Sequence, residues 1–211
     1  KGTPQGGIIS PLLSNIVLNE MDWWISNQWE TFETDHKYSR IDNKYRALRK
    51  ANLKEIYIVR YADDFKLMCR DYETASKIKI ATIQWLKERL NLEVSKKKTK
   101  ITNLKRTYTE FLGIKLKVRK KGNEYVGRSK VANGVKKKLA DKLKHQIKRI
   151  REETTVKQVS KLNSMILGMQ NYYSMATMVS KDFSDIAFQV NRTLENRLSS
   201  DLSEKGAESK A

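Results

Sequence analysis

The sequence predicts an α+β layer followed by an all-helical bundle, and three observations carry that prediction. Between Ile56 and Cys69, two apolar runs of strand-forming residues flank the adjacent carboxylates Asp63 and Asp64, the pattern of a tight hairpin. On either side of this hairpin, apolar residues recur at helical spacing. Beyond residue 127 the strand signals stop, and amphipathic helical patterns alone continue to about residue 200. The expected division is therefore a mixed domain over 1–127 with a polar excursion at 27–54, a helical domain over 128–200, and a polar tail at 201–211.

In chain order, Gly2, Pro4, Gly6 and Gly7 open as a loop whose backbone can approach a ligand closely. Ser10 and Pro11 suit an N-cap and a first helical residue. A helix is expected from about Pro11 to Gln28, with Leu13, Ile16, Val17, Met21, Trp24 and Ile25 on its buried face. The excursion offers one short helix near Lys44–Ala51. The hairpin follows, then a helix over Tyr72–Leu90 marked by Ala75, Ile78, Ile83, Leu86 and Leu90. Leu92–Val94 and Ile101 read as strands around the loop SKKKTK, and Thr109–Val118 as one further strand. Gly122 and Asn123 turn it towards a partner over 124–127. The bundle comprises Val131, Val135, Leu139, Leu143, Ile147 and Ile150 on a Lys-rich helix, then a second helix through Val159, Leu162, Ile166, Met169, Tyr172, Tyr173 and Ala176. Phe183, Ile186, Val190, Leu194 and Leu198 mark the third.

Composition excludes several classes. With 211 residues, 39% of them hydrophobic, the chain can bury a core and is not a disordered protein. The lone Cys69 makes no internal disulfide, and His36 and His145 give no zinc-ligand spacing, which fits a reducing compartment. No long apolar run or leader is visible, so no membrane span or membrane partner is expected, and the cytoplasm is the expected location. A first residue other than methionine leaves an organellar leader open. Between Val94 and Arg151 there are 21 Lys or Arg against 3 acidic residues, nearly all of the formal net charge of +19. So concentrated a charge favours a polyanion, nucleic acid before an anionic membrane surface.

Two carboxylates at 4 Å repel by about 4 kcal/mol at an effective dielectric near 20. Either solvent screens them, as in an ordinary acidic turn, or a hard divalent cation joins them and bridges to substrate phosphates.

Taken together, GTPQGGIISPLLSNI, YADDF, LNLEVSKKKTKI and EFLGIKL, in that order and spacing, resemble the second half of the reverse transcriptase domain of group II introns. VSKLNSMILGMQNYYSMA is similar to the thumb, or maturase-specific, region of the same family. The resemblance implies a partial polymerase palm, an antiparallel sheet with packed helices, followed by a three-helix thumb. It implies that Asp63 and Asp64 are the catalytic pair and magnesium ligands, in a two-metal site only partly supplied by this chain. Tyr61 and Ala62 would lie beside the primer end, as would the primer-gripping strand at Phe111, Leu112 and Gly113. Pro4, Gln5, Gly6 and Gly7 would lie near the incoming nucleotide and the template. Lys98 would face the leaving pyrophosphate, or is one solvated lysine among its neighbours. Lys136, Lys137, Lys138, Lys142, Lys144, Lys148 and Arg149 would follow the RNA backbone.

The partners so implied are intron RNA, an RNA template with its DNA primer, and deoxynucleoside triphosphates. In the family a third carboxylate comes from upstream of the Pro-Gln-Gly loop, where this sequence begins. The expectation is thus a C-terminal portion that polymerises little alone, with an N-terminal half supplied in trans. The competing expectations are a non-catalytic, RNA-binding maturase-like protein and a basic protein that binds any polyanion.

Overall fold

In this computed structural model, residues 9–198 are described. Pro4, Gln5, Gly6, Gly7 and the polar tail lie outside them. The chain divides into two compact units, the first ending at Ile101 and the second beginning at Thr102. The expected border after residue 127 falls instead inside a strand of the second unit.

The first unit contains helix α1 (Ser10–Ser26), helix α2 (Ile41–Lys50), the antiparallel hairpin β1 (Ile56–Tyr61) and β2 (Asp64–Cys69), and helix α3 (Tyr72–Leu90). Pro11 stands in the first turn of α1, where its missing N–H costs nothing. Asp71 caps α3 by accepting from the Thr74 N–H at 2.8 Å, and Asn91, in the left-handed region, ends it. Helix α1 packs on β1 and α3 on β2. Leu18, Met21, Ile25, Trp29, Leu48, Ile56 and Leu86 form the core.

Two expectations change here. Leu13, Ile16 and Val17 are exposed, so the buried stripe of α1 is rotated towards Leu18, Met21 and Ile25. The excursion is not a polar insertion either. Trp29 is fully buried, stacks on Tyr45 at 5.3 Å, and donates from Nε1 to the Tyr57 hydroxyl at 3.1 Å. Tyr57 donates to Glu55, which also accepts both nitrogens of an Arg49 fork at 3.0 Å. This chain of partners ties α2 to the base of β1 and holds the Glu55 carboxyl below its ordinary range, chiefly through the Arg49 hydrogen bonds.

The second unit is a three-stranded antiparallel meander, β3 (Thr109–Phe111), β4 (Ile114–Lys121) and β5 (Glu124–Val131), with helices α4 (Asn133–Glu152), α5 (Val156–Tyr173) and α6 (Val179–Leu198). The strands expected at Leu92–Val94 and Ile101 are not formed; that segment runs through turns and irregular backbone. The single strand expected over Thr109–Val118 is instead a hairpin, turned at Leu112 and Gly113. Helices α4 and α6 follow the expected pattern, whereas on α5 Val159 and Tyr172 are exposed and Ala176 lies beyond the helix end. Ala140, Leu143, Ile147, Ile150, Leu162, Ile186, Val190 and Leu198 form one core, with α4 against both α5 and α6. Among the described residues no helix is long and apolar enough to cross a membrane.

Candidate active site and nucleic-acid interface

The pairing of Tyr61 with Asp64 leaves Ala62 and Asp63 as the two central residues of the first hairpin turn. Asp63 therefore stands at the tip, and Asp64 one step back as the first residue of β2. Ala62 has φ +53°, a left-handed conformation that costs an L-residue about 1–2 kcal/mol. Positive φ at the first central position alone is the pattern of a II′ turn, whose twist matches that of the strands.

The strain is held from outside the turn. Arg60, next but one before Ala62, places its guanidinium under the tip, where Nη1 donates to the Ala62 carbonyl and to Asn15 Oδ1, each at 2.8 Å. Its Nε and Nη2 grip Asp22 of α1, with the shortest contact 2.6 Å. The Arg60 side chain is only 11% exposed, and the Asp22 hydrogen bond raises its pKa further above an already high value. So α1 fixes the hairpin tip through one residue, which sequence reasoning passed over because an arginine in a strand carries no motif. Its signal was weak but present: an inward charge on a half-apolar strand needs a carboxylate partner on the helix beneath.

Both Asp63 and Asp64 are exposed, and neither carboxylate has a hydrogen bond or ion pair among the described residues. Two free carboxylates of this kind offer the oxygen donors that magnesium takes, in the number it commonly uses with substrate phosphates. Among the described residues no group of three or more His, Cys, Asp or Glu is placed to hold a metal. Tyr61 is exposed beside the tip, at 65%. Lys98 is exposed on a turn closed by the Ser95 carbonyl, with no ion pair to either aspartate. Cys69, half-buried at the far end of β2, has its thiol pKa pushed up by burial, then by Asp71.

In the second unit, Leu112 (φ +51°) and Gly113 (φ +76°) are the central residues of a I′-type turn. The Gly113 carbonyl accepts the Ala132 N–H at 2.8 Å. A Cβ at Gly113 would lie 3.2 Å from both the Tyr173 hydroxyl oxygen and Val135 Cγ2, so glycine is required by conformation and by space. The next amide back, Val131 N–H, donates to Asp182 Oδ2 at 2.7 Å, and Asp182 is buried. Lys136 Nζ completes the cluster, 3.0 Å from Asp182 and 2.9 Å from Asp185. Burial lowers the Lys136 pKa, but hydrogen bonds to Asp185 and Asp182 outweigh it and leave it raised.

Lys136 must therefore be removed from the expected RNA-facing set: its ammonium is spent inside the fold. Lys137, Lys138, Lys142, Lys148 and Arg149 are exposed along α4. Lys144 is half-buried and lines two open grooves between α4 and α6, of about 760 and 590 Å³.

The chain is 27% identical to a 91 kDa protein in the cob intron of Schizosaccharomyces pombe, over 94% of this chain and 31% of that protein. It is 30% identical to the group II intron-encoded protein LtrA of Lactococcus lactis, over 57% of this chain and 26% of the relative. The protein YkfC of Escherichia coli is 31% identical over 55% of this chain and 32% of its own length. The chain thus spans about a third or less of the length of these curated relatives. Residues 1–116 match the reverse transcriptase (RNA-dependent DNA polymerase) family, and with more than half its length so matched, including the Asp63–Asp64 hairpin and the Leu112–Gly113 turn, the chain belongs to that family.

Proposed function

We propose that this chain is the catalytic-pair and thumb portion of an RNA-directed DNA polymerase of the group II intron type, which also binds its intron RNA as a splicing factor. The observation that carries the reading is the Asp63–Asp64 pair, exposed and unpartnered on a strained tip that Arg60 holds to α1. The first unit is then the palm part and the helices of the second unit the thumb.

Asp63 and Asp64 would hold magnesium together with substrate phosphates. When bound, the ions supply charge stabilisation for in-line displacement at the nucleotide phosphate. The protein's own part is positional. Arg60 keeps the tip from relaxing, Tyr61 stands exposed beside it, and the exposed Lys98 would offer a solvated cation to the leaving pyrophosphate. In the second unit, Leu112 and Gly113 form the primer-gripping turn, and the outward lysines of α4 follow the template–primer backbone. By the resemblance, a third carboxylate would join Asp63 and Asp64 in holding the metal.

The test is primer extension on an RNA template with magnesium, using the 211-residue chain alone and mixed with an upstream reverse transcriptase half. Extension is expected in the mixture and little or none alone. Asp63→Asn should lower it at least about 100-fold, the scale for losing a group that stabilises transition-state charge, while RNA affinity stays within about twofold. Undiminished extension by Asp63→Asn would remove the proposed site. RNA binding with no extension in any mixture would favour a non-catalytic maturase.

A further inference from the structure

The registry of β4 with β5 sets Lys115 directly opposite Lys130, and Lys117 opposite Arg128. Side chains alternate across a strand, so Arg119 and Lys121 continue the same face of β4. Like charges directly opposite one another destabilise a sheet. Here two such pairs adjoin, and same-face cations recur along β4 about every 7 Å. None of the six forms an ion pair among the described residues, although Glu110 and Glu124 stand opposite Lys115 and Lys121. Towards carboxylates Lys130 acts only at longer range, helping to lower the Asp185 carboxyl pKa after the stronger effects of Lys136 and Lys181.

The other face of β4 carries Ile114, Leu116 and Val118, with the exposed Lys120 only at its end, so the cations of the first face cannot simply turn inwards. The aromatic ring on the basic side, Tyr108, is half-buried, with Lys130 Nζ 4.9 Å and Lys117 Nζ 5.4 Å from its centroid. That ring is covered by ammonium groups and is not free to stack an unpaired base. A row of cations without a stacking platform fits a helical phosphate backbone.

We infer that the Lys115–Lys121 and Arg128–Lys130 face of the β4–β5 ribbon docks the backbone of double-helical, folded RNA, separately from the α4 lysines. This rests on the polymerase–maturase reading above, in which α4 already has the template–primer duplex. A second basic face on a different element then suits a second polyanion. A-form RNA is recognised through phosphates, 2′-hydroxyls and shape, which needs no base-reading side chains.

The test measures binding of a fluorescent, fully paired RNA hairpin, an RNA-template/DNA-primer hybrid, and phosphatidylserine vesicles across a salt series. The ribbon variant carries Lys117→Gln, Arg119→Gln and Arg128→Gln, and the helix variant Lys138→Gln, Lys142→Gln and Lys148→Gln. Removing three phosphate contacts should weaken hairpin binding about tenfold or more and reduce the magnitude of the log–log salt slope by about 2 to 3. Hybrid binding by the ribbon variant should stay within about twofold, and the helix variant should show the opposite preference.

Hairpin affinity unchanged in the ribbon variant overturns the inference, as does an equal loss on both nucleic acids or a loss confined to the hybrid or the vesicles. Failure of the unaltered chain to bind either nucleic acid would instead sink the polymerase–maturase reading. Folding is controlled by Lys115→Arg with Lys117→Arg and Lys130→Arg, which should keep the affinity, and by thermal melting. Loss of opposed like charges should not lower the melting temperature of the Gln variant, and if it does, the faces are structural and the inference fails.

Discussion

The two tight turns of this chain solve one problem in different ways. Each places an L-residue at positive φ, Ala62 at +53° and Leu112 at +51°, and each has a turn carbonyl held by a donor from elsewhere. At the first turn the donor is a side chain, Arg60, anchored on α1 by Asp22. At the second it is a backbone amide, Ala132, at the end of β5, and the Val131 amide beside it is held by buried Asp182. The first arrangement leaves Asp63 and Asp64 exposed at the tip. The second packs Gly113 against Tyr173 and Val135 while Leu112 stays exposed, which suits a surface that must be stiff.

The broadest break in the comparison is expected at Arg60. Arg60→Met leaves Asp22 without its partner and the Ala62 carbonyl without its donor, which should cost the first unit about 3 kcal/mol. All four tryptophans, Trp23, Trp24, Trp29 and Trp85, lie in the first unit. Urea unfolding followed by tryptophan fluorescence should therefore show the loss while the helical signal of the second unit stays in place. A midpoint unchanged from the unaltered chain would mean that the tip does not depend on the clamp.

The matching break in the second turn is Gly113→Ala. It combines the cost of a left-handed L-residue with crowding against Tyr173 and Val135, about 2–5 kcal/mol in total. The loss should appear in far-ultraviolet circular dichroism and not in tryptophan fluorescence. Gly122 is the contrast: it also has positive φ, at +60°, but nothing lies within 4 Å of an added Cβ. Gly122→Ala should therefore cost only the conformational part, about 1–2 kcal/mol.

Alkaline pH should separate the two holds. The raised Lys136 pKa means that its pairing with Asp182 and Asp185 is fully present below the unfolded value of 10.5 and is lost as pH rises through the higher folded value. The Arg60 pKa is raised above its already high ordinary value, chiefly by the Asp22 hydrogen bond, so its clamp persists through that range. The stability advantage of the unaltered chain over Lys136→Met should shrink above about pH 10.5 in the helical signal, while its advantage over Arg60→Met in tryptophan fluorescence stays constant. Equal loss of both would show that the two holds are not chemically distinct.

What was legible in the sequence follows the same division. The first hairpin could be read because two strand-forming runs bracket a polar break at Ala62–Asp64; the second could not, because Phe111, Leu112, Gly113 and Ile114 keep the strand's apolar character across the turn. Helices α4 and α6 were readable because each buries a single stripe on another helix. Helix α1 was half legible: Met21 and Ile25 were read correctly, but it is apolar on more than one face, and only three-dimensional packing selects Leu18 over Leu13, Ile16 and Val17. Asp63 and Asp64 were found by motif, whereas Arg60, Asp22, Asp182 and the ribbon cations depend on register and contacts between elements distant in sequence.

The smallest expected effect is the most informative about why Ala62 is not glycine. Ala62→Gly removes about 1–2 kcal/mol of left-handed strain but gives back roughly 0.5–1 kcal/mol through the greater freedom of the unfolded chain. The net is a gain of about 0.5 kcal/mol, seen as a slightly higher urea midpoint in tryptophan fluorescence. If the tip acts as proposed, extension in the reconstituted mixture should fall even as stability rises, because a glycine lets Asp63 leave the position that Arg60 and Ala62 define. A fall in stability together with activity would show that the methyl group is needed for packing. A rise in both would show that the strain at Ala62 has no part in placing the carboxylates.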